Sequence, residues 1–183
     1  MSFVPDVPPE DFAEPLRYAV TGGDGETCRT ASIFHKLAHS PAVFLSLADA
    51  TAKTLRDMKL DPQLRELAIC TVTGINRATY PFARHIMLSQ KLAIPDEKLL
   101  ALPVAEQHPA FDETERAVIA FARELTETSH VSATAKQRLA ACLDVVERVE
   151  LVWTIGFYNA VSRIASACDV ELEGEPPRGN ALR

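Results

Sequence analysis

Hydrophobic residues recur at helical spacing along most of the chain, and prolines separate the repeating segments. After Pro62 the apolar residues return every three or four positions, at Leu64, Leu67, Ala68, Val72 and Ile75. This period is typical of an amphipathic helix that buries one face. The same pattern predicts eight helices: around residues 30–39, after Pro41, after Pro62, after Pro81, and over 95–102, 112–127, 132–143 and 144–170.

Polar residues before these segments mark where the helices begin. Ser40-Pro41 and Asp61-Pro62 each resemble an N-cap followed by proline at the first helical position, and Asp112 with Glu115 resembles a capping box. The sequence has only seven glycines and no alternating run rich in β-branched residues between turn signals. We therefore predict an all-α, single-domain helical bundle of about eight helices over residues 1–183, with mobile ends at 1–11 and 172–183.

Composition and charge narrow the classes of function. The 183 residues are 47% hydrophobic and 24% charged, with a net charge of −6. These fractions are ordinary for a globular protein, and the negative charge argues against a nucleic-acid partner. No apolar run reaches membrane-spanning length, and the acidic, proline-rich start is unlike a signal peptide. We expect a cytoplasmic protein that acts on a small molecule, with neither nucleic acid nor membrane as a partner.

Cysteine and histidine spacing gives no metal or redox motif. Cys28, Cys70, Cys142 and Cys168 are far apart and form no C-x-x-C, which favours free thiols in a reducing compartment. A pair of histidines four residues apart, at positions 35 and 39, has no glutamate between them, so a packed or capping pair is favoured over a metal site. The sequence therefore predicts neither a metal nor a cofactor.

Glu66 and His85 lie nineteen residues apart within two otherwise apolar segments. A buried charge is costly unless it is paired or used, and a neutral imidazole beside a carboxylate can act as a general base. A position near the start of the Pro81 helix would favour the neutral ring. Two other interpretations remain open: a buried structural pair, or a solvated Glu66 unrelated to His85. A tight antiparallel hairpin would also leave the pair roughly 6 Å out of step.

The segment that contains this pair, residues 64–102, resembles the core of the carboxymuconolactone decarboxylase family, which includes the alkylhydroperoxidase D-like proteins. The residues that fit the pattern are Arg65, Glu66, Leu67, Tyr80, His85, Ile94, Asp96 and Glu97. The resemblance extends to "IFHKLAHSPAVFLSLADA" upstream and "GFYNAVSRIASACDVELE" downstream. It implies an all-helical bundle that assembles into a homo-oligomer, and we expect a dimer, trimer or hexamer.

The sequence departs from this family at two positions. Ala78 and Pro81 stand where the peroxidase branch has its C-x-x-C, and the decarboxylase branch has a glutamate at the position of Pro81. The residues implied as a site are Glu66 and His85 for catalysis and Tyr80, Arg84 and Tyr158 for substrate binding. The implied function is cofactor-free acid–base chemistry on a small organic acid: decarboxylation, isomerisation or lactone opening. The alternatives are a non-catalytic binding or assembly protein and a peroxiredoxin-type hydroperoxide reductase that uses distant cysteines.

Overall fold

The chain folds into helices, as predicted. A computed structural model describes residues 3–16 and 31–174, and no strand occurs among them. The α-helices are α1 (Ser32–Leu37), α2 (Pro41–Arg56), α3 (Pro62–Ile75), α4 (Thr79–Lys91), α5 (Asp96–Ala101), α6 (Glu113–Thr128), α7 (Ala133–Cys142) and α8 (Val145–Ala167). Short 3-10 turns cover Pro9–Asp11 and Leu102–Val104, and residues 14–16 are also helical. The prediction of an all-α bundle of about eight helices is confirmed.

Helix α3 lies at the centre of the bundle. Its residues 65–73 are all buried, and the helix packs against α4, α6 and α8. A helix that is apolar around most of its circumference must be covered on every side, which explains its position. Because Glu66 lies in this stretch, its carboxylate is held in the protein interior and needs partners there.

Helix α4 separates two hydrophobic clusters of the core. Tyr80 packs into the larger cluster, together with Phe44 of α2 and Ile155 of α8. Phe82, two residues later, packs into the smaller cluster with Cys70 of α3. Side chains two positions apart point to different sides of a helix, so one short segment of α4 contributes to both clusters.

Two of the predicted helix starts have the capping hydrogen bonds that the sequence indicates, whereas the N-cap serine of α2 forms none with its side chain. Asp61 accepts hydrogen bonds from the backbone N–H groups of residues 63 and 64, at 2.8 and 3.2 Å. Asp112 and Glu115 form a reciprocal capping box at the start of α6. The start of α8 has a second one, between Asp144 and Glu147, which has the same D-x-x-E spacing but was not singled out in the sequence analysis.

Helix α4 begins two residues earlier than predicted, at Thr79 instead of Pro81. Proline is tolerated there because the N–H groups of a first helical turn have no partner within the helix. His85 is consequently the seventh helical residue, not a residue one turn from the start. Since the field of a helix terminus falls off within one turn, the expected contribution of the α4 N-terminus to His85 is wrong.

The aromatic residues of α2 and α8 differ in their exposure. Phe44 and Tyr158 are buried, whereas Trp153 is half-exposed. The exposed apolar surface of α8 consists mainly of valines, at positions 145, 146, 149 and 152. Homo-oligomer formation stays a prediction. Within residues 3–16 and 31–174, no helix is long and apolar enough to span a bilayer.

The segment before α1 contacts the bundle. The backbone N–H of Val7 donates to the carbonyl of His35 at 3.0 Å, and Lys36 pairs with Asp6 at 3.3 Å. After α8, Val170 is buried and Leu172 packs against the core. The mobility of residues 1–11 and 172–183 stays a prediction, and positions 175–183 lie outside the described residues.

Candidate functional site

Glu66 of α3 and His85 of α4 are in direct contact. His85 Nδ1 lies 2.6 Å from Glu66 Oε2, and both side chains are buried, with 7% and 1% of their surface exposed. Counted from the observed helix ends, Glu66 lies nine residues before Ile75 and His85 six after Thr79. The offset is thus three residues, about 4.5 Å along the axis. The two side chains bridge this offset. The mismatch expected for a tight hairpin therefore does not keep Glu66 and His85 apart.

The Glu66 carboxylate has a second neighbour, which is positively charged. Arg65 Nε lies 3.5 Å from Glu66 Oε1, on the oxygen that does not contact His85. The Arg65 side chain is itself only 7% exposed. Since an unpaired buried carboxylate would be costly, Arg65 and His85 together make its burial tolerable. Arg65 was identified in the sequence only as part of the family pattern, with no role.

His85 lies in the wall of a cavity of about 90 Å³. Pro81, Arg84, His85 and Leu88 of α4 all line it, at the positions i, i+3, i+4 and i+7 that share one helix face. The other walls come from α1, α2 and α8 and are mainly apolar, with Ile33, Phe34, Leu47, Leu55 and Val161. A cavity holds a water when about 10–15 Å³ is open to it, so this one is larger than a single-water site.

All three predicted substrate-binding residues line the same cavity: Tyr80, Arg84 and Tyr158. The structure therefore brings four of the five predicted site residues to one cavity, with Glu66 behind His85. The Tyr158 ring meets the His85 ring edge-on, with ring centroids 4.6 Å apart and an interplanar angle of 82°. The imidazole is thus in contact with Glu66 of α3 and with Tyr158 of α8.

Both tyrosines keep their protons at neutral pH. Burial, and then the negative charge of Glu66, raise the pKa of Tyr158 well above its ordinary value. Burial, and then the charge of Glu173, likewise raise the pKa of Tyr80. Each phenol is therefore a hydrogen-bond donor at the cavity, and no described residue forms a hydrogen bond with the Tyr158 hydroxyl.

Arg84 and Tyr80 have a partner that the sequence analysis missed. Arg84 Nη1 donates to Glu173 Oε2 at 3.4 Å, and the Tyr80 hydroxyl donates to Glu173 Oε1 at 3.3 Å. The backbone N–H of Ser32 also donates to Glu173 Oε1. Nothing in the sequence distinguishes Glu173 from the other charged residues after α8, and the segment was predicted to be a mobile end.

A row of aromatic rings connects the cavity with the protein surface along α8. Trp153 stacks on Phe157, with centroids 5.9 Å apart and an interplanar angle of 8°. Phe157 meets Tyr158 edge-on at 5.3 Å, and Tyr158 meets His85 in the same way. The Trp153 indole N–H donates to the Thr54 hydroxyl at 2.9 Å, which fixes the outer end of the row on α2.

The remaining candidates lie elsewhere. Arg77 is exposed in the turn after α3, with a φ of 52°, and Arg163 donates to the carbonyl of Asn159 one turn earlier in its own helix. His39 contacts the carbonyl of Pro5. In the described part of the chain, no group of three His, Cys, Asp or Glu side chains could hold a metal ion. Cys28 lies outside the described residues.

A second cavity, of about 230 Å³, lies on the other side of α4. Cys70 lines it together with Phe82 and apolar residues of α5 and the following 3-10 turn, and Arg123 stands at its edge. The Cys70 thiol contacts the Ser89 hydroxyl at 3.6 Å. Burial, and then the charge of Glu66, raise the pKa of Cys70, so the thiol stays protonated. This thiol has none of the features of an activated nucleophile.

No protein-family model and no curated protein matches the sequence. Solved structures do match. A debrominase in its apo form is 17% identical over 100% of this chain and 98% of its own, with a TM-score of 0.81. An uncharacterized peroxidase-related protein from Ralstonia eutropha, with an alkylhydroperoxidase core, is 18% identical over 94% of this chain and 92% of its own, with a TM-score of 0.79.

A third structure, an uncharacterized peroxidase-related protein from Silicibacter sp., is 16% identical over 98% of this chain and 95% of its own, with a TM-score of 0.78. At such low sequence identity the structural similarity establishes only the fold. The chemistry of the site has to be inferred from this chain's own residues. The chain thus has the helical fold of the alkylhydroperoxidase D-like proteins, as residues 64–102 predict, and it has this fold without a C-x-x-C pair.

Proposed function

We propose that this protein is an enzyme that performs cofactor-free acid–base chemistry on a small organic acid or lactone in the His85 cavity. The observation that carries the proposal is the 2.6 Å contact between His85 Nδ1 and Glu66 Oε2 in the cavity wall. An ionised carboxylate can only accept a hydrogen bond, so the ring proton is assigned to Nδ1. Nε2 is then the nitrogen that can accept a proton from a substrate.

The proton transfer follows from these assignments. Nε2 removes a proton from carbon next to a carbonyl group, or from an attacking water, and the imidazolium that forms is stabilised by the Glu66 carboxylate. Tyr158 keeps its proton and lines the cavity, so its hydroxyl is a donor for the negative charge that develops on a substrate oxygen. Isomerisation begins with removal of a proton from carbon, and lactone opening with removal of a proton from water. Decarboxylation uses the reverse transfer, in which protonated Nε2 gives its proton to the carbon that has lost CO₂.

Tyr80 and Arg84 are proposed to hold the substrate. A guanidinium and a phenol that line the same cavity as His85 suit a carboxylate group, because charge-assisted hydrogen bonds are strong and directional. One comparison supports a small ligand: a variant of the debrominase, with a cysteine replaced by alanine, is in complex with 2,3,4-tribromopyrrole. We propose a similarly small substrate here.

Two alternatives are less well supported. A non-catalytic assembly protein with Glu66 and His85 as a structural pair has no need of a cavity at the imidazole, whereas a cavity is present. A non-catalytic binding protein would also use this cavity, and the experiment below separates it from an enzyme. A hydroperoxide reductase needs a thiolate, but Ala78 and Pro81 supply none and the Cys70 thiol stays protonated.

The test is hydrogen–deuterium exchange at carbon next to a carbonyl, followed by NMR in D₂O with a panel of small keto acids and lactones. The wild type should exchange or convert at least one of them, and His85→Gln should lower the rate by about 10²–10⁴-fold. His130→Gln is the matched control, because His130 is exposed and remote from the cavity. An undiminished rate in His85→Gln would contradict the proposal, and binding without turnover would favour the non-catalytic alternative.

A further inference from the structure

The Glu173 carboxylate lies among three hydrogen-bond donors at the edge of the His85 cavity. They are the Tyr80 hydroxyl at 3.3 Å, the Arg84 guanidinium at 3.4 Å and the backbone N–H of Ser32. The two side chains come from α4 and the amide from the start of α1, so residues far apart in sequence converge on one carboxylate. Tyr80 and Arg84 also line the cavity, but Glu173 does not.

We infer that Tyr80, Arg84 and the Ser32 amide form a carboxylate-binding subsite, that Glu173 is its internal occupant, and that the carboxylate of a substrate displaces Glu173 on binding. The inference rests on the proposed function and adds two things to it. It adds the Ser32 amide to the groups that hold the substrate carboxylate, and it makes the segment that carries Glu173 a barrier that an uncharged ligand does not remove.

The position of the subsite favours a ligand that extends towards His85. Arg84 and His85 are consecutive residues, and both line the cavity on one face of α4. A molecule that replaced the Glu173 carboxylate would therefore place its remaining atoms in the cavity beside the imidazole. A salt bridge with only a tethering role would not need its cation in the wall of a cavity that also contains a histidine–carboxylate pair.

The two side-chain contacts of Glu173 suit an exchangeable occupant. The contacts to Tyr80 and Arg84, at 3.3 and 3.4 Å, are longer than the usual range of about 2.7–3.2 Å for strong hydrogen bonds. The side chains of Arg84 and Glu173 are 25% and 29% exposed, so water screens their attraction. A ligand carboxylate that reaches the same donors from inside the cavity would be less screened and more strongly held.

The segment can leave without disrupting a helix. Glu173 lies six residues beyond the end of α8, in residues 171–174, which have no helix or strand. Val170 is buried and anchors the chain just before the segment, whereas Glu171 is exposed. Movement of 171–174 breaks the three contacts of Glu173 and the packing of Leu172 but leaves every helix intact, as in local opening.

The inference is tested by binding of benzoate and of its neutral analogue benzamide, measured by NMR on the full chain. Glu173→Gln should bind benzoate about tenfold more tightly than the wild type, because the internal competitor loses its charge. Its affinity for benzamide should not change. Glu171→Gln is the matched control: it removes the same charge two residues away and should leave both affinities at wild-type values.

Arg84→Gln should abolish the preference for benzoate over benzamide. In the wild type, benzoate but not benzamide should shift the backbone amide signals of residues 171–174. An unchanged benzoate affinity in Glu173→Gln, or an equal gain for benzamide, would overturn the inference. If Glu173→Gln does not fold, Glu173→Asp is the second variant: its shorter side chain reaches the donors less well, so it should also bind benzoate more tightly.

These measurements need no turnover, so they separate the two proposals. Benzoate binding that depends on Glu173 and Arg84, without proton exchange in any substrate, would keep the subsite and reject the proposed enzyme. The opposite result is proton exchange that depends on His85, together with a benzoate affinity that does not change in Glu173→Gln. It would support the proposed enzyme and reject the subsite.

Discussion

Two cavities lie on either side of α4, and the imidazole lines one of them while a buried thiol lines the other. The His85 cavity has an imidazole, a carboxylate behind it and two phenols, but no thiol. The Cys70 cavity has a thiol but no base within hydrogen-bonding distance, only the Ser89 hydroxyl at 3.6 Å. A thiol peroxidase needs these groups together, and here a helix separates them.

Glu66 affects the two cavities in opposite ways. On one side its carboxylate accepts a hydrogen bond from the imidazole and leaves Nε2 as a base. On the other side its negative charge adds to burial and keeps the proton on Cys70. One buried carboxylate thus makes the first cavity suited to proton transfer and the second unsuited to thiolate chemistry. The position of a group relative to its charged neighbours decides its chemistry more than its identity does.

The largest expected difference between the cavities is in stability. Glu66→Met and His85→Phe should each lower the free energy of unfolding by about 3–5 kcal/mol, because each leaves a buried polar partner unpaired. The double variant should lose less than the sum, with an interaction energy of about 2 kcal/mol. Urea unfolding of the wild type, the two single variants and the double variant measures this interaction energy.

The matched double-mutant cycle in the second cavity uses Cys70→Ala and Ser89→Ala. Its interaction energy should be about 0.5 kcal/mol or less, since a thiol–hydroxyl contact of 3.6 Å is weak. Equal interaction energies in the two cycles would remove the contrast between the cavities.

The second difference is in thiol reactivity. At pH 8, iodoacetamide should modify Cys70 at least about 100-fold more slowly than Cys142 or Cys168, because only the thiolate reacts and burial keeps Cys70 protonated. Peptide mass spectrometry over time measures the three rates. Hydroperoxide reduction should also be negligible and insensitive to the loss of any one cysteine. Peroxide turnover that disappears in Cys70→Ala would show that the second cavity is the active one.

The third difference concerns alkaline pH. The folded state keeps protons on Cys70, Tyr80 and Tyr158 above the pH at which the unfolded chain loses them, because their pKa values are raised. The unfolded state then binds fewer protons, so stability is complete below the ordinary values of 9.0 and 10.0 and falls as pH rises above them.

The expected slope is about 1.4 kcal/mol per pH unit for each group that is fully deprotonated only when unfolded. Urea unfolding between pH 8 and 11 measures it. Cys70→Ala should flatten the plot of unfolding free energy against pH from pH 9 upward, and Tyr158→Phe should flatten it from pH 10 upward. The contributions of the thiol and the phenol can therefore be measured separately. Cys142→Ala is the control, because this half-buried cysteine lines neither cavity. A curve unchanged in all variants would contradict the assignment.

The helices were predictable because each gives a local signal. The Asp61 cap, the Asp112–Glu115 capping box and the 3.6-residue period depend on neighbours in sequence, and all three are found in the structure. The start of α4 was placed two residues too late because proline was taken as the first helical residue, although the third position tolerates it equally well.

The site was only partly predictable. The family pattern indicated Glu66 and His85, but their distance depends on where two helices end, and a shift of one residue at either end moves it by about 1.5 Å. Arg65 was noted without a role, since its contact with Glu66 Oε1 depends on burial of both side chains. Glu173 could not be foreseen, because it meets Arg84 across 89 residues of sequence through a segment with no regular structure.

The aromatic row along α8 has a spectroscopic consequence. The sequence contains one tryptophan, Trp153, so indole fluorescence reports a single place in the molecule. Its ring is half in water and stacks on Phe157, which contacts Tyr158 in the wall of the cavity. Because a ligand that moves Tyr158 also disturbs the ring beside it, the emission of Trp153 is a built-in optical probe of cavity occupancy. Binding can therefore be followed in the unlabelled wild-type protein.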